Sequence, residues 1–218
     1  VFALRPHELQ LGFLKFLPGA PIRELIEEHE YQYQSFPPYE LVSHKNLPAE
    51  QAIYLKKFAE AFDMFYNSKR FGFSVERLLE TSSPVKLFDH LVQYLEDRGL
   101  LLRTLSLDDQ YRVFMDAFSL ERDCLAMDLL KLDYVYRQQA FRIPRFLLVN
   151  LPETASLKFK AWSGDRKSPL FPFMHEIHTV GAAVNLCPAD APQYYAVVHG
   201  AENGYFSQPT IVKERERA

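Results

Sequence analysis

The sequence predicts an α+β protein, mostly a bundle of α-helices with a small antiparallel sheet near the C-terminus. The first observation is a helical repeat of apolar residues through residues 48–140, divided by short links. The second is a change after Arg145 to short β-rich runs. The third is an N-terminal apolar run, Leu9–Leu17, that stops at a Pro-Gly turn. We therefore expect three regions, residues 1–45, 46–145 and 146–218.

The N-terminal region has the pattern of a strand followed by a helix. The Leu9–Leu17 run, with Gly12 inside it, is followed by Pro18-Gly19-Ala20-Pro21 and then by a short acidic helix from Ile22 to Glu30. Such a βα half-unit of a parallel sheet needs neighbouring strands and covering helices. Because the chain starts at Val1 and enters this strand at once, we expect a C-terminal piece of a longer polypeptide. The alternative is a trimmed form of a complete small protein.

The helical region carries start signals in the expected places. A core helix begins at Pro48 and runs to about Ser68, with Leu55, Phe58, Phe62 and Phe65 on its apolar face. Ser83-Pro84 opens a helix that closes at Gly99, and Ser106 to Asp109 has the spacing of a capping box. Two further helices complete the bundle, Phe73–Thr81 and about Leu120–Gln139.

The C-terminal region reads as short strands separated by polar loops. Leu157–Trp162 alternates clearly, with Leu, Phe and Ala on one face and Lys, Lys and Trp on the other. The other predicted strands are Phe146–Val149, Ile177–Val180, Ala183–Leu186, Tyr194–Val198 and Thr210–Val212.

Composition narrows the classes of function. A hydrophobic content of 48% with 14% aromatic residues predicts a substantial core, and a net charge of −3 gives no electrostatic case for nucleic acid. No window approaches the roughly 20 apolar residues of a membrane span. The two distant cysteines, Cys124 and Cys187, do not make a disulfide framework, so we expect a cytoplasmic protein in which both are packing residues and Cys124 is buried in a helix.

Three stretches allow either a structural or a functional interpretation. The four aromatic residues of Tyr31–Tyr39 can pack into the core or line an entrance for a ligand. Lys69 and Arg70 can neutralise a helix C-terminus or contact an anion. Met174–His178 would place two histidines on one face of a helix, or on opposite faces of a strand.

A metal site in the Met174–His178 stretch needs the helical arrangement. His175 and His178 would then ligate the metal, with Glu176 or His199 as the third ligand. The flanking β-branched residues favour a strand, and the register of zinc proteases is absent. We therefore predict no metal ligands.

The N-terminal unit carries a family resemblance. GFLKFLPGAPIREL resembles the late strand and loop of a radical S-adenosylmethionine (SAM) barrel, where a run ending in L-P-G-T-P-L closes the cofactor pocket. LQLGFLK, SFPPYELVS and FYNSKRF are together similar to a subgroup in which a cobalamin-binding radical SAM enzyme carries a poorly characterised C-terminal domain. The barrel likeness covers about the first 45 residues, and the C-terminal-domain likeness covers the rest more loosely. Ala20 stands where Thr is more usual, which removes a hydroxyl but keeps the turn.

The resemblance implies one set of cofactor contacts. Phe16, Leu17, Pro18 and Gly19 would supply apolar and backbone contacts near the adenine of SAM; alternatively Pro18-Gly19 is an ordinary strand-to-helix turn. A four-iron cluster that binds SAM needs three closely spaced cysteines, which this sequence does not have. The cluster, most of the SAM site and any cobalamin domain would therefore lie upstream of Val1.

The function implied by the resemblance is that of an accessory domain. The chain would cover the barrel mouth or recognise an unknown substrate in a radical SAM iron–sulfur oxidoreductase or cobalamin-dependent methyltransferase, and would have no catalysis of its own. Its partner would be the upstream barrel of the same polypeptide. The alternative is an independent helical module that binds a protein or peptide through an aromatic surface. A metal hydrolase that uses His175 and His178 is a third hypothesis.

Overall fold

The computed structural model describes most of the chain. The described residues are 2–4, 6–101, 103–138, 142–151, 158–161, 167–180, 183–198, 201–202, 205–206 and 210–213. The fold divides into two compact units. One comprises Val1–Ser68 with Ser83–Leu101, and the other comprises Lys69–Ser82 with Leu102–Ala218.

The structure contains both α-helices and antiparallel strands, as the α+β class requires. The α-helices are α1 (Ile26–His29), α2 (Ala49–Phe62), α3 (Gly72–Leu79), α4 (Pro84–Asp97), α5 (Leu107–Ala117) and α6 (Cys124–Gln138). The strands are β1 (Gln32–Tyr33), β2 (Leu41–Ser43), β3 (Lys158–Ala161), β4 (Lys167–Val180), β5 (Ala183–Val198), β6 (Ala201–Glu202), β7 (Tyr205–Phe206) and β8 (Thr210–Lys213). All of their pairings are antiparallel, in sheets β1-β2, β3-β4-β5-β8 and β6-β7. The predicted fold class is confirmed.

The first unit is built on the packing of α2 against α4. The Ser83 hydroxyl caps α4 by accepting a hydrogen bond from the Lys86 amide at 3.3 Å, as its sequence position predicts. The ring of Phe88 on α4 lies 4.7 Å from that of Phe62 and 6.1 Å from that of Phe58, between ring centroids. Rings at these distances gain both apolar burial and favourable edge contacts, and they form the core of the unit.

A π-helical turn, Asp63–Asn67, ends α2 and holds the N-terminal segment. The Asn67 side chain accepts from the Leu9 amide at 3.1 Å and donates to the Leu9 carbonyl at 3.0 Å. The Tyr66 hydroxyl donates to the carbonyl of Pro6 at 2.8 Å. The segment around Leu9 is thereby fixed by side chains rather than by a neighbouring strand.

The second unit joins α3, α5 and α6 to the four-stranded sheet. The Ser106 hydroxyl caps α5 by accepting from the Asp109 amide at 3.2 Å, as predicted. The buried carboxylate of Asp133, on α6, accepts from the Phe73 and Ser74 amides at 3.0 and 2.8 Å. A side chain from one helix thus satisfies the first amides of another, which fixes α3 against α6.

Several predicted boundaries are wrong for local physical reasons. Phe146–Val149 is not a strand, because Arg145–Leu148 forms a 3₁₀ turn after Pro144. The last long helix begins at Cys124, because Asp123 is extended and its carboxylate accepts from the Leu125 and Ala126 amides; residue 139 lies outside the described residues. The predicted strands Ala183–Leu186 and Tyr194–Val198 are parts of the single strand β5.

The expected parallel strand over Leu9–Leu17 is also wrong. Within it, only Lys15 forms a β-bridge, and that bridge pairs it with Glu40 in the antiparallel sense. The following turns are 3₁₀ over Pro21–Leu25 and α-helical only in α1. The division into residues 1–45, 46–145 and 146–218 stays a prediction, since the two compact units use discontinuous ranges.

No helix in the described part of the chain has both the length and the apolar content needed to cross a membrane.

Candidate functional site

The four predicted cofactor contacts lie together in a turn, called here the Pro-Gly corner (residues 16–19). Phe16 is fully buried, and its ring stacks on that of Tyr33 with 4.6 Å between centroids and contacts that of Tyr31 at 5.1 Å. The Ala20 amide donates to the Leu17 carbonyl at 3.1 Å and closes the turn. Of the two interpretations of Tyr31–Tyr39, packing therefore applies to Tyr31 and Tyr33.

Arg23 fixes the backbone of the Pro-Gly corner. Its Nε and Nη2 atoms both donate to the Phe16 carbonyl, at 3.1 and 2.7 Å. Its guanidinium carbon lies 5.2 Å from the centroid of the Tyr33 ring and 5.8 Å from that of Tyr39. A charged fork on a carbonyl with aromatic rings beneath it is both a strong and a directional arrangement.

The outer surface of the corner is open. Leu17 is 52% exposed, and Pro18 and Gly19 are exposed as well. Gly19 has φ of +79°, which favours glycine, and a Cβ placed there would meet no atom within 4 Å. Leu17, Pro18 and Gly19 can therefore contact a ligand or a partner surface, whereas the side chain of Phe16 cannot.

A second site, which the sequence analysis missed, is a buried polar cluster called here the Asp128 node (Asp128, Lys131, Asn150 and His175). The Asp128 carboxylate is fully buried. Its Oδ2 accepts from the amides of Met174 and His175 at 2.7 and 2.9 Å and contacts His175 Nδ1 at 2.9 Å. Its Oδ1 accepts from Lys131 Nζ at 2.8 Å and from Asn150 Nδ2 at 3.0 Å. Five hydrogen-bond contacts thus converge on one carboxylate.

The Lys131 ammonium of the node is also fully buried. Besides Asp128, it donates to the Pro172 carbonyl at 3.1 Å and to Asn150 Oδ1 at 3.4 Å. Burial lowers the pKa of Lys131, and the neighbouring Asp128 carboxylate acts in the opposite direction. The node joins α6 to β4, where the register shifts between Phe173 and His175 and leaves two successive amides facing one carboxylate.

One sequence signal could have indicated the node. Asp128 and Lys131 stand three residues apart within CLAMDLLKLDYV, which is otherwise apolar on most sides of a helix. Charged residues within such a helix are buried only when they are paired. The sequence could not show that the partners are Asn150 and His175.

The structure places His175 in a strand, as the flanking residues favour, rather than in a helix. Its Nδ1 contacts Asp128. Glu176 and His178 also lie in β4, whereas His199 lies outside the described residues. Among the residues that the structure describes, no three or more His, Cys, Asp or Glu side chains come together as a metal site.

Of the remaining candidate residues, Arg70 makes contacts within the fold and the two cysteines lie at the surface. Arg70 Nη1 donates to Gln110 Oε1 at 2.8 Å, and its carbonyl accepts from the Tyr111 hydroxyl at 2.6 Å. Cys124 and Cys187 are free and exposed, so the predicted packing roles are wrong. Cys124 is exposed because it is the first residue of α6 rather than an interior one.

A tyrosine–carboxylate pair joins α6 to α5. The Tyr134 hydroxyl donates to Asp108 Oδ1 at 2.9 Å, and Arg142 Nη2 lies 3.3 Å from Asp108 Oδ2. Burial, together with the Asp108 hydrogen bond, raises the pKa of Tyr134 to about 12.

Comparison with known proteins gives a family. The chain matches, over residues 27–176, the family described as protein of unknown function DUF4080. No curated protein and no solved structure matches it. The matched region includes every residue of the Asp128 node and starts after the Pro-Gly corner. Since the match spans more than half of the residues of this chain, the chain belongs to the DUF4080 family.

Proposed function

We propose that the chain is the C-terminal accessory part of a radical SAM iron–sulfur enzyme of the cytoplasm. In this proposal residues 1–45 join the upstream barrel of the same polypeptide, and the DUF4080 region covers the mouth of that barrel or recognises the substrate. The parent reaction is a radical oxidoreduction, or a methyl transfer where cobalamin is bound. The accessory part excludes water from the reacting centre and leaves the chemistry to the barrel.

The observation that carries this proposal is the construction of the Pro-Gly corner. Its backbone is held from the inside by Phe16 and Arg23, while Leu17, Pro18 and Gly19 are left exposed. A rigid turn that presents apolar surface and open backbone suits contact with a flat, apolar group or with a neighbouring domain.

The residues of this chain fit one of the two groups that the resemblance implies, SAM, but not the other, the four-iron cluster. The exposed surface of Leu17, Pro18 and Gly19 suits the edge of an adenine ring, so these residues would contact SAM. The cluster does not fit, because Cys124 and Cys187 are the two cysteines of the sequence and three thiolates are needed. The cluster ligands of the proposal therefore belong to the upstream part of the polypeptide.

The experiment is an anaerobic purification of the full polypeptide as its gene encodes it. We expect three cysteines at C-x-x-x-C-x-x-C spacing upstream of Leu9. After reconstitution with iron and sulfide and then reduction, we expect the electron paramagnetic resonance signal of a reduced four-iron cluster that changes when SAM is added. A full reading frame without those cysteines, or a polypeptide that binds no cluster, would refute the proposal.

A second function is favoured by one observation. Large apolar side chains are exposed in the first unit outside the Pro-Gly corner, among them Phe36, Ile53, Tyr54, Leu55 and Val85. Exposed apolar residues of this kind also suit an independent module that binds a protein or a peptide. Such a module would bind its partner equally well without the upstream polypeptide, and the accessory part would not.

A further inference from the structure

The segment that precedes the Pro-Gly corner lies beside β2 and is joined to it by one antiparallel bridge, Lys15 to Glu40. The Phe16 amide donates to the Tyr39 carbonyl at 2.8 Å, and the Leu41 amide donates to the Leu14 carbonyl at 2.9 Å. Lys15 and Glu40 therefore form a pair without hydrogen bonds to each other, as alternate pairs in antiparallel ladders do. The N–H and C=O of Lys15 consequently point away from β2.

The other edge of β2 is already used. The Gln34 amide donates to the Glu40 carbonyl at 2.9 Å, and β1 pairs with β2. The outer edge at Lys15 is thus one side on which this small sheet can grow. By the alternation of an extended chain, the backbone groups of Phe13 face the same way as those of Lys15.

The outer segment is held at both ends. Leu9 is bonded through its N–H and C=O to the Asn67 side chain, and residues 14–16 are bonded to residues 39–41. The stretch between them spans roughly 20 Å if extended at about 3.3 Å per residue. Anchoring both ends lowers the entropy that an added strand would otherwise have to remove.

The side chains of this segment indicate the chemistry of an added strand. Leu11 and Leu14 are 39% and 40% exposed, which is unusual at a sheet edge that faces only water. Glu40, the cross-strand neighbour of Lys15, is bonded instead to Lys56 at 2.6 Å. Among the described residues, no carboxylate pairs with the Lys15 ammonium.

We propose that the edge at Phe13 and Lys15 receives an added β-strand, apolar in its side chains and with a carboxylate facing Lys15. This inference rests on the proposed function, because the strand comes from the upstream part of the same polypeptide. The N–H and C=O groups of Phe13 and Lys15 give the strand its register, and the leucines and Lys15 select its side chains.

The experiment is hydrogen–deuterium exchange of the full, cluster-loaded polypeptide, read at single amides by mass spectrometry. We expect the Phe13 and Lys15 amides to exchange at least about 100-fold more slowly than free amides, because each donates to the added strand. Lys15→Glu should speed this exchange at least about 10-fold, because it places two carboxylates together. Lys86→Glu, a charge reversal at an exposed residue of α4, should leave it unchanged.

The outcomes separate this inference from the proposed function. Free exchange of both amides in a polypeptide that carries its cluster overturns the inference and leaves the proposed function standing. Protection that disappears on dilution identifies a second copy as the source of the strand and also overturns it. Protected amides in a polypeptide without cluster cysteines support the strand and refute the proposed function.

Discussion

The Pro-Gly corner and the Asp128 node are stabilised in opposite ways. The corner is held by interactions close in sequence, such as Arg23 to the Phe16 carbonyl seven residues away, and its outer surface is open. The node joins Asp128 to His175 across 47 residues, and its charged groups are fully buried. The open corner is therefore suited to contact with a group outside the fold, whereas the buried node is suited to holding the DUF4080 region together.

The largest expected effect tests the node. Asp128→Ala removes a carboxylate with five donors and leaves the Lys131 ammonium buried without its partner. We expect the free energy of unfolding to fall by about 3–5 kcal/mol, as for other broken buried ion pairs. Denaturant unfolding measures it, and Asp116→Ala, at an exposed carboxylate on α5, is the control. A loss no larger than that of the control would contradict a structural role for the node.

The next effect separates the two faces of the Pro-Gly corner. Phe16→Ala deletes a fully buried ring that stacks on Tyr33 and should cost about 3 kcal/mol of unfolding free energy. Leu17→Ala, one residue further, should cost less than about 1 kcal/mol, because half of that side chain is already exposed. Equal losses from the two substitutions in denaturant unfolding would show that the corner has no distinct inner and outer face.

A smaller effect concerns the backbone of the corner. Gly19→Ala should cost about 1 kcal/mol, because φ of +79° is unfavourable for alanine although the added methyl group meets no atom. Gly12 also has open space around it and has no positive φ, so Gly12→Ala should change the unfolding free energy by less than about 0.5 kcal/mol. If both substitutions prove neutral, the turn does not hold Gly19 in this conformation.

The smallest effect is a dependence of stability on pH that is confined to alkaline solution. The pKa of Tyr134 is raised to about 12, against about 10 for a free tyrosine. Between these values the unfolded chain releases this proton and the folded chain keeps it, so stability falls as pH rises through that interval. The melting temperature of the wild type should therefore fall more steeply between pH 10 and 12 than that of Tyr134→Phe. Parallel curves would mean that burial and the Asp108 hydrogen bond do not raise the pKa of Tyr134.

The parts of the fold set by local interactions could be predicted from the sequence. The caps at Ser83 and Ser106 are where their positions predict, because a cap involves residues only three apart. Leu9–Leu17 has strand-like composition, but composition does not show that its neighbour is Tyr39–Leu41 in the antiparallel sense. Similarly, the Asp128 node depends on partners 22 and 47 residues away, which single-sequence patterns do not reveal.

The rate of reductive SAM cleavage in the full polypeptide tests whether the outer face of the Pro-Gly corner contacts the proposed barrel, which is the claim on which the proposed function depends. Leu17→Glu should lower this rate at least about 10-fold relative to the wild type while the cluster signal and the unfolding free energy stay unchanged, because it places a charge on the apolar contact surface. Val85→Glu, at a side chain that is 62% exposed on α4, should leave the rate unchanged. Equal rates for the wild type and both variants would contradict the claim.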